Sequence, residues 1–407
     1  MSFTRNICKN MSLSFYGIFI IVNFISYLEE PAFDFRNLYA VVFFLILCSM
    51  NFILSRRKHI QYNTRKILYG YLIVFLIALV HAQFVSYASY IYLEILSCLF
   101  FVLDLFLLLR VIIITNCFKE FISMTALIFN AFMMILFAVF FDGMGASSLL
   151  LNAFSGLDRY RNTYGLYHAN QTGNLVLFTM LINLYFLVVV LKKKVFLRLG
   201  VATISLVELY MLLTTASRNA ILSLAVFLIT FSILYYYDKF ESRSKILVFI
   251  NIVVIAMFVL LNVDMKYLIG LSLRGENFAG NIPNLKTVWD WIFGLGLVGS
   301  GYFKLGFSSY YRTTFIDNYL LYVLMTSGLI GCILIFVPYY KIIKLLFAKE
   351  FSEKNLKHFL CSMSIMILFS AMFETNLLYP QFVSSFVYWL VIFYHSQVSA
   401  ISQCRVE

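Results

Sequence analysis

The chain has 407 residues, of which 62% are hydrophobic and only 12% are charged. Apolar runs of about 18 or more residues recur along its whole length, and a helix of about 20 such residues covers the hydrocarbon core of a bilayer. The formal net charge of +12 is distributed over many short segments, whereas a nucleic-acid-binding protein concentrates basic residues in one soluble domain. The composition therefore predicts an all-α polytopic membrane protein and excludes nucleic acid as a partner.

The hydropathy pattern predicts about twelve transmembrane helices. In chain order the predicted spans are 11–28, 38–54, 67–85, 90–115, 120–140, 172–191, 197–216, 220–237, 246–263, 317–340, 358–375 and 380–397. The fourth is long enough to tilt or to contain a break. The run 317–340 contains Gly328, Gly331 and Pro338, which membrane helices tolerate when neighbours satisfy the backbone. Residues 1–407 are thus predicted to form a single integral membrane domain.

The positions of lysine and arginine predict the orientation, because these residues are enriched in cytoplasmic loops. If the N-terminus is cytoplasmic, most of the 31 basic residues fall on the inner side. The main inner clusters lie at 56–66, 192–198, 239–245 and 341–357. Both chain termini are then predicted to be cytoplasmic.

Two predicted outer connections are long, 141–171 and 264–316, whereas most of the others are short. Long segments in a compact protein are more often functional than accidental. The second lies between predicted spans nine and ten and includes a glycine-rich stretch from Gly294 to Gly301. We expect short amphipathic or re-entrant helices in this large outer loop and no separate folded domain.

Arginines on the predicted outer side break the positive-inside pattern. They are Arg159, Arg161, Arg218, Arg274 and Arg312. A single outer arginine is as easily explained by a side chain that extends to the lipid headgroups as by a functional role. Several on one side favour a different explanation, because the guanidinium fork binds phosphate oxygens in pairs. A diphosphate ligand at the outer leaflet is the specific alternative.

Carboxylates and histidines supply candidates for proton transfer. Glu94, Asp317 and Glu374 lie at predicted outer ends of spans, where each can cap a helix or pair with an arginine. Asp317 opens a helix after the large loop, and aspartate is a preferred N-cap residue, a role that does not exclude catalysis. His168 is a base or simply a hydrogen-bonding residue. Glu208 lies deeper in its span, where a carboxylate is either functional or paired.

Several common catalytic motifs do not occur in the sequence. It has no P-loop, no H-E-x-x-H motif, no D-x-D metal pair and no G-x-S-x-G nucleophile elbow. Metal-dependent and nucleotide-dependent reactions are therefore disfavoured, and neither a cofactor nor a metal site is predicted.

Three short motifs follow one another between roughly 160 and 335. The first is an arginine, then glycine, then H-A-N opening a span, and the second is T-x-S-R-N-A around Arg218. The third begins in the large outer loop, which has an arginine near its start and the sequence G-L-G further on. The chain re-enters the membrane at D-N-Y-L, and the helix that begins there contains S-G-L-I-G. In their order and topology they resemble the O-antigen polymerase and O-antigen ligase superfamily, which includes capsule and exopolysaccharide polymerases. The ligase branch has a histidine where this sequence has Asp317, so the resemblance favours the polymerase branch.

The resemblance implies a membrane-embedded, inverting glycosyltransferase that uses no metal and no cofactor. It would join undecaprenyl-diphosphate-linked oligosaccharide repeat units on the outer face of the bacterial cytoplasmic membrane, as a multi-pass protein. The growing chain on its lipid would be the donor, and a new repeat unit would supply the acceptor hydroxyl. Besides membrane lipids, the implied partners include chain-length regulator and flippase proteins.

The resemblance and the chemistry together assign roles to residues. Arg161, Arg218 and Arg274 are expected to hold the diphosphate and stabilise the leaving group, and Asp317 to accept the proton of the sugar hydroxyl. Either Arg159 or Arg161 is the arginine of the first motif. The remaining substrate-binding candidates are His168, Asn170, Glu94, Glu374, Trp289 and Trp291. The tryptophans stack on sugars or form part of an interfacial aromatic belt.

Two other functions fit parts of this pattern. A flippase or other transporter of the lipid-linked oligosaccharide shares the span count and a cationic cavity, but it would place its charged site near the bilayer midplane. The candidate residues here lie at the outer ends of spans, which favours an enzyme. An O-antigen-type ligase differs from a polymerase only in the acceptor.

Overall fold

A computed structural model describes most of the chain. The described residues are 2–26, 28, 32–54, 62–84, 90–141, 143, 161–166, 168–191, 194–237, 280–295, 318–348, 354–374, 377–379 and 382–403. Within these ranges every regular element is a helix and no strand occurs. The predicted all-helical class is therefore confirmed for the described part of the chain.

The helices are numbered here in chain order. They are α1 Ser2–Ile25, α2 Ala32–Leu54, α3 Tyr62–Phe84, α4 Tyr90–Thr115, α5 Phe118–Phe140, α6 Ala169–Tyr185, α7 Val195–Thr214, α8 Arg218–Tyr237, α9 Val288–Phe293, α10 Tyr319–Ala348, α11 Lys354–Ala371 and α12 Val383–Gln403. A π-helical turn, Phe186–Val190, continues α6, and a 3-10 turn, Ile282–Asn284, precedes α9. A short helix thus lies within the predicted large outer loop.

Eight helical stretches in the described ranges are long and apolar enough to cross a membrane. They are Thr4–Ile25, Arg36–Leu54, Ile95–Thr115, Phe118–Phe140, Ala169–Val190, Val195–Thr214, Arg218–Tyr236 and Tyr319–Phe347. Large apolar side chains also face outward, such as Phe52 at 85% exposure and Phe196 at 90%. Soluble proteins rarely expose large apolar patches, so these helices indicate a membrane-embedded protein. The span count of twelve and the orientation stay predictions, and predicted span 246–263 lies outside the described residues.

The first of two compact units comprises Met1–Ile128, Asn277–Leu345 and Glu374–Glu407. In it α4 packs against α1, α2, α3 and α12. The core is aromatic: the Trp389 ring meets the Tyr71 and Tyr339 rings edge to face. The Tyr71 hydroxyl forms a hydrogen bond of 2.7 Å with that of Tyr319 at the start of α10. Buried hydroxyls need such partners, so these contacts fix how α3, α10 and α12 pack.

Helix α10 is broken inside its apolar stretch, where Gly328 has φ 65° and ψ −161°. The chain after α9 fills the break: the Leu295 amide donates to the Met325 carbonyl at 2.7 Å. Gly294, with φ 75°, approaches so closely that a Cβ on it would lie 2.5 Å from the Ser327 amide nitrogen. Gly294 and Gly328 each occupy a position that only glycine fits. The G-L-G and S-G-L-I-G parts of the third motif therefore meet, backbone to backbone.

The second compact unit comprises Phe129–Glu276 and Leu346–Phe373. In it α6 packs against α7 and α8, and α8 packs along α11. Asn183 of α6 exchanges two amide hydrogen bonds of 2.8 Å with Asn130 of α5. It also donates to the buried Glu208 carboxylate of α7 at 2.9 Å. Glu208 is thus paired with an amide, and the network fixes how three helices are rotated against one another.

Candidate functional site

The segment that opens with Arg161 is anchored by its neighbour Asn162. The Asn162 amide N–H donates to the Thr214 carbonyl at 3.0 Å, and its side-chain amide donates to the Phe140 carbonyl at 3.1 Å. Its side-chain oxygen accepts from the Tyr164 N–H at 2.7 Å. Asn162 is nearly buried, so its hydrogen bonds replace those that water would make. They tie the segment to the ends of α5 and α7.

A tight turn at Tyr164 and Gly165 then directs the chain into α6. Both residues have positive φ, 50° and 74°. The buried Tyr164 hydroxyl pairs with the Thr214 hydroxyl at 2.6 Å. A Cβ on Gly165 would lie 2.4 Å from the Phe140 ring, so the turn needs glycine for both its backbone conformation and its packing.

The start of α6 holds the Arg161 side chain. Its guanidinium donates to the side-chain oxygen of Asn170, in the first turn of the helix. The Thr172 hydroxyl donates back to the Thr163 carbonyl at 2.9 Å. A helix N-terminus carries partial positive charge, and an arginine held beside it adds a full one. This end of α6 therefore attracts anions.

His168 caps α6 with its imidazole. Its Nδ1 accepts from the Asn170 N–H at 3.2 Å, which requires Nδ1 to be unprotonated. Partial burial, and then the nearby Arg161 charge, lower the pKa of His168 below its usual value of 6.5. The imidazole is therefore neutral at pH 7, and it acts in this structure as a cap.

The cap predicts how the protein responds to acid. Because the folded pKa of His168 lies below the unfolded value, the unfolded chain binds more protons and stability falls as the pH drops below about 6.5. His168→Asn keeps a good capping residue but cannot titrate. We expect its apparent unfolding temperature to fall less between pH 7 and pH 5 than that of the wild type. Parallel pH profiles for the two proteins would contradict this role.

The turn between α7 and α8 packs directly on α6. Ala216 adopts φ 47°, Thr215 and Ser217 are fully buried, and α8 begins at Arg218. A Cβ on Gly173 of α6 would lie 2.5 Å from the Ser217 Cβ. The helix that the first motif opens and the turn that carries the second motif therefore meet at a contact with room only for glycine.

Replacing Gly173 tests this contact. Gly173→Ala is expected to separate α6 from the turn and to destabilise the protein by about 1–3 kcal/mol, a typical cost of overpacking. Gly200→Ala in α7 is the matched control, because nothing lies within 4 Å of a Cβ there. Alanine should stabilise that helix by up to about 1 kcal/mol. Apparent unfolding temperatures in detergent measure both effects, and equal shifts for the two variants would disprove the close approach.

An amide on α8 links three helices below the turn. The Asn219 side chain donates to the Ser370 hydroxyl of α11 at 3.0 Å and to the Asn174 oxygen of α6 at 3.5 Å. The Ser223 hydroxyl donates to the Asn219 oxygen at 3.4 Å. All these side chains are buried, so α6, α8 and α11 are joined immediately beneath Arg218.

Polar side chains of the second unit lie at and beneath these neighbouring helix ends. We define the polar cluster as Arg161, Asn162, Tyr164, Asn170, Asn174, Thr214, Arg218, Asn219 and Ser370. Arg161 and Arg218 are both half-buried, and no member of the cluster so defined is acidic. A half-buried guanidinium is less screened than one in water, so the cluster is suited to an anionic ligand.

The structure places the predicted site residues in different ways. It brings Arg161, His168 and Asn170 together at the start of α6. Arg218 follows Ser217, which packs on Gly173 of the same helix. Trp289 and Trp291 lie on α9 of the first unit with 68% and 38% exposure, and Trp289 stacks on Phe293 at 5.6 Å. Glu374 is buried beyond the end of α11. Glu94 lies near the start of α4, and its side chain is outside the described residues, as are Arg159, Arg274 and Asp317 in full.

The hydrogen-bonding residues around the two arginines were not predicted from the sequence. Asn162, Tyr164, Asn174, Asn219 and Ser370 make most of the hydrogen bonds of the polar cluster. One signal was available, because Asn170 and Asn174 lie four residues apart and so share a helix face. Their partners lie far away in the chain and follow from no local pattern.

No protein-family model and no curated protein sequence matches the chain.

Proposed function

We propose that the protein is a polymerase of lipid-linked oligosaccharides in the bacterial cytoplasmic membrane. It joins undecaprenyl-diphosphate-linked repeat units into a surface polysaccharide on the outer face, by inverting glycosyl transfer without a metal. Flippase and chain-length regulator proteins are its proposed partners.

One observation supports this proposal: Arg161 and Arg218, from two separate motifs, lie at neighbouring helix ends. Arg161 is hydrogen-bonded to Asn170 in the first turn of α6, and Ser217, just before Arg218, packs on Gly173 of the same helix. Asn170 orients the first guanidinium, and Asn219 fixes the start of the helix that carries the second. Preorganised cations stabilise developing negative charge without reorganisation during the reaction. A diphosphate leaving group is the anion that most needs such stabilisation here.

The proposed reaction is a single displacement at the anomeric carbon of the donor. The acceptor hydroxyl oxygen forms the new glycosidic bond while the bond between that carbon and the diphosphate oxygen breaks, with inversion. Arg161 and Arg218, with Arg274, neutralise the departing undecaprenyl diphosphate. Asp317 accepts the hydroxyl proton.

The position of the polar cluster favours an enzyme over a transporter. Arg161 precedes α6, Thr214 ends α7 and Arg218 begins α8, so the arginines lie at helix ends. A transporter places its charged site near the bilayer midplane, often at interrupted helices. Cations at helix ends reach a diphosphate at the membrane surface, where the lipid headgroup lies.

Product analysis tests the proposal. The purified protein in detergent is given a defined lipid-diphosphate-linked repeat unit, without added metal, and the products are separated by chain length. We expect a ladder of lipid-linked multimers with an inverted new linkage. If no multimers form, but the same protein in vesicles moves the repeat unit across the bilayer, the protein is a flippase. If an acceptor that carries no lipid is added and the sugar is transferred only to it, the protein is a ligase.

A further inference from the structure

A second polar site lies at the opposite end of α7 from the polar cluster. It is a pocket with a cavity volume of about 380 Å³, lined by Leu187, Val188, Arg198, Phe231, Tyr235 and Asn355. Ligand sites commonly have volumes of about 300–1,000 Å³. The helix α7 is about 30 Å long, from its 20 residues and a rise of 1.5 Å per residue. This pocket is therefore distinct from the proposed catalytic site.

A π-helical turn forms one wall of the pocket. The α-helical pattern of α6 ends at Tyr185, and Phe186–Val190 continues as a π-helix closed by the Leu191 amide on the Phe186 carbonyl at 2.8 Å. Leu187 and Val188 of this turn line the pocket. Such turns are rare and frequently mark functional sites, because they widen the helix and redirect its side chains.

The pocket is apolar on one side and cationic on the other. Phe231 and Tyr235, one turn apart on α8, stack at 6.1 Å, and the Tyr235 ring meets the His358 ring of α11 edge to face. Arg198, in the first turn of α7, and Asn355, in the first turn of α11, supply the polar groups. The pocket thus has aromatic and aliphatic walls beneath a guanidinium.

Formal charge decides which ligand this pocket favours. The beginnings of α7 and α11 meet the ends of α6 and α8 here, so the helix dipoles largely offset one another. The side-chain charges at these helix ends have the same sign and therefore add. Arg198 and Lys194 lie at the beginning of α7, and Lys354 and Lys357 lie at the beginning of α11. The pocket therefore favours an anion.

We infer that this pocket binds an anionic phospholipid, with the phosphate at Arg198 and Asn355 and the upper part of an acyl chain along Leu187, Val188 and Phe231. The ligand chemistry is a phosphate diester joined to an apolar chain. Four helix ends meet at the pocket, which places it at headgroup depth, and the predicted orientation makes that leaflet the cytoplasmic one. Basic pockets between helices on that side suit anionic lipid headgroups.

Lipid retention tests the inference. The protein is placed in phosphatidylcholine nanodiscs that contain 10–20% phosphatidylglycerol, and bound phosphatidylglycerol is quantified by native mass spectrometry after extraction. Arg198→Gln is expected to lower its retention about tenfold or more, the effect of losing one hydrogen bond to a charged group. Lys344→Gln, an exposed basic residue of α10 on the same predicted side, is the matched control and should retain wild-type levels. Equal losses in the two variants would overturn the inference.

A second measurement needs no variant and separates lipid from free phosphate. A photoreactive phosphatidylglycerol with its reactive group near the headgroup should label peptides from Phe186–Val190 and from the beginning of α7. Unlabelled phosphatidylglycerol should suppress the labelling, whereas millimolar inorganic phosphate should not. Labelling confined to other helices would reject the site, and suppression by phosphate alone would show that a free anion binds there.

Discussion

Replacing Arg218 with glutamine is expected to reduce polymer formation by about 100- to 1,000-fold, the usual effect of removing one group that stabilises a developing charge. Arg218 begins α8 at the turn that packs on α6. Glutamine keeps a shorter polar side chain there and removes the cation. Arg218→Lys restores the charge without the planar fork, and we expect intermediate activity. The readout is the length distribution and yield of lipid-linked multimers formed by the purified protein.

The control removes a similar charge outside the polar cluster. Arg5 is exposed near the start of α1, and Arg5→Gln should leave both yield and chain length unchanged. Expression and apparent unfolding temperature are measured for every variant, so that loss of folding is separated from loss of catalysis. If Arg218→Gln folds and makes long chains at the wild-type rate, the polar cluster does not bind the leaving group.

Alanine at either Gly294 or Gly328 is expected to destabilise the protein by about 3 kcal/mol or more. Each position combines a positive φ and a ψ near 180°, a backbone conformation essentially restricted to glycine, with a contact that has no room for a Cβ. A Cβ on Gly328 would lie 2.3 Å from the Ile292 carbonyl oxygen, and one on Gly294 would meet backbone atoms of Thr326 and Ser327. Backbone cannot move aside as a side chain can, so the break in α10 must rearrange.

The measurement is the apparent unfolding temperature in detergent, with Gly17→Ala as the matched control in the same unit. At Gly17 a Cβ would make only ordinary contacts, the nearest at 3.6 Å from the Met124 sulfur. Alanine there should be neutral or slightly stabilising. If all three variants unfold at the wild-type temperature, α9 does not dock at the break as the structure has it.

The approximate positions of most long helices in the described ranges were predictable from the sequence, because long apolar runs need only hydropathy and length to be recognised. The predicted span 90–115 and the helix Tyr90–Thr115 have the same bounds. The break at Gly328 was harder to predict. Glycine and proline in 317–340 indicated that an irregularity would be tolerated, but the break depends on Leu295 and Gly294, which come from another segment. Local sequence does not contain that information.

In the candidate site, too, residues with a local sequence signal were predicted, whereas residues that depend on contacts with distant segments were missed. Arg161 and Arg218 stood out because their charge is costly in an apolar chain. Asn162 and Asn219 are unremarkable in the sequence, and their importance depends on partners in other helices, Thr214 and Ser370. Hydrogen bonds between distant residues follow from tertiary packing, which a single sequence does not specify residue by residue.

The docking of the loop at the break in α10 also constrains the order of assembly. An unsatisfied carbonyl in a bilayer is costly. Met325, three residues before the interruption of the helix at Gly328, has a carbonyl that accepts its hydrogen bond from Leu295. Its donor, Leu295, lies earlier in the chain and so leaves the ribosome first. When α10 enters the membrane, the segment that completes it has already been synthesised, so α10 can insert without waiting for any later part of the protein.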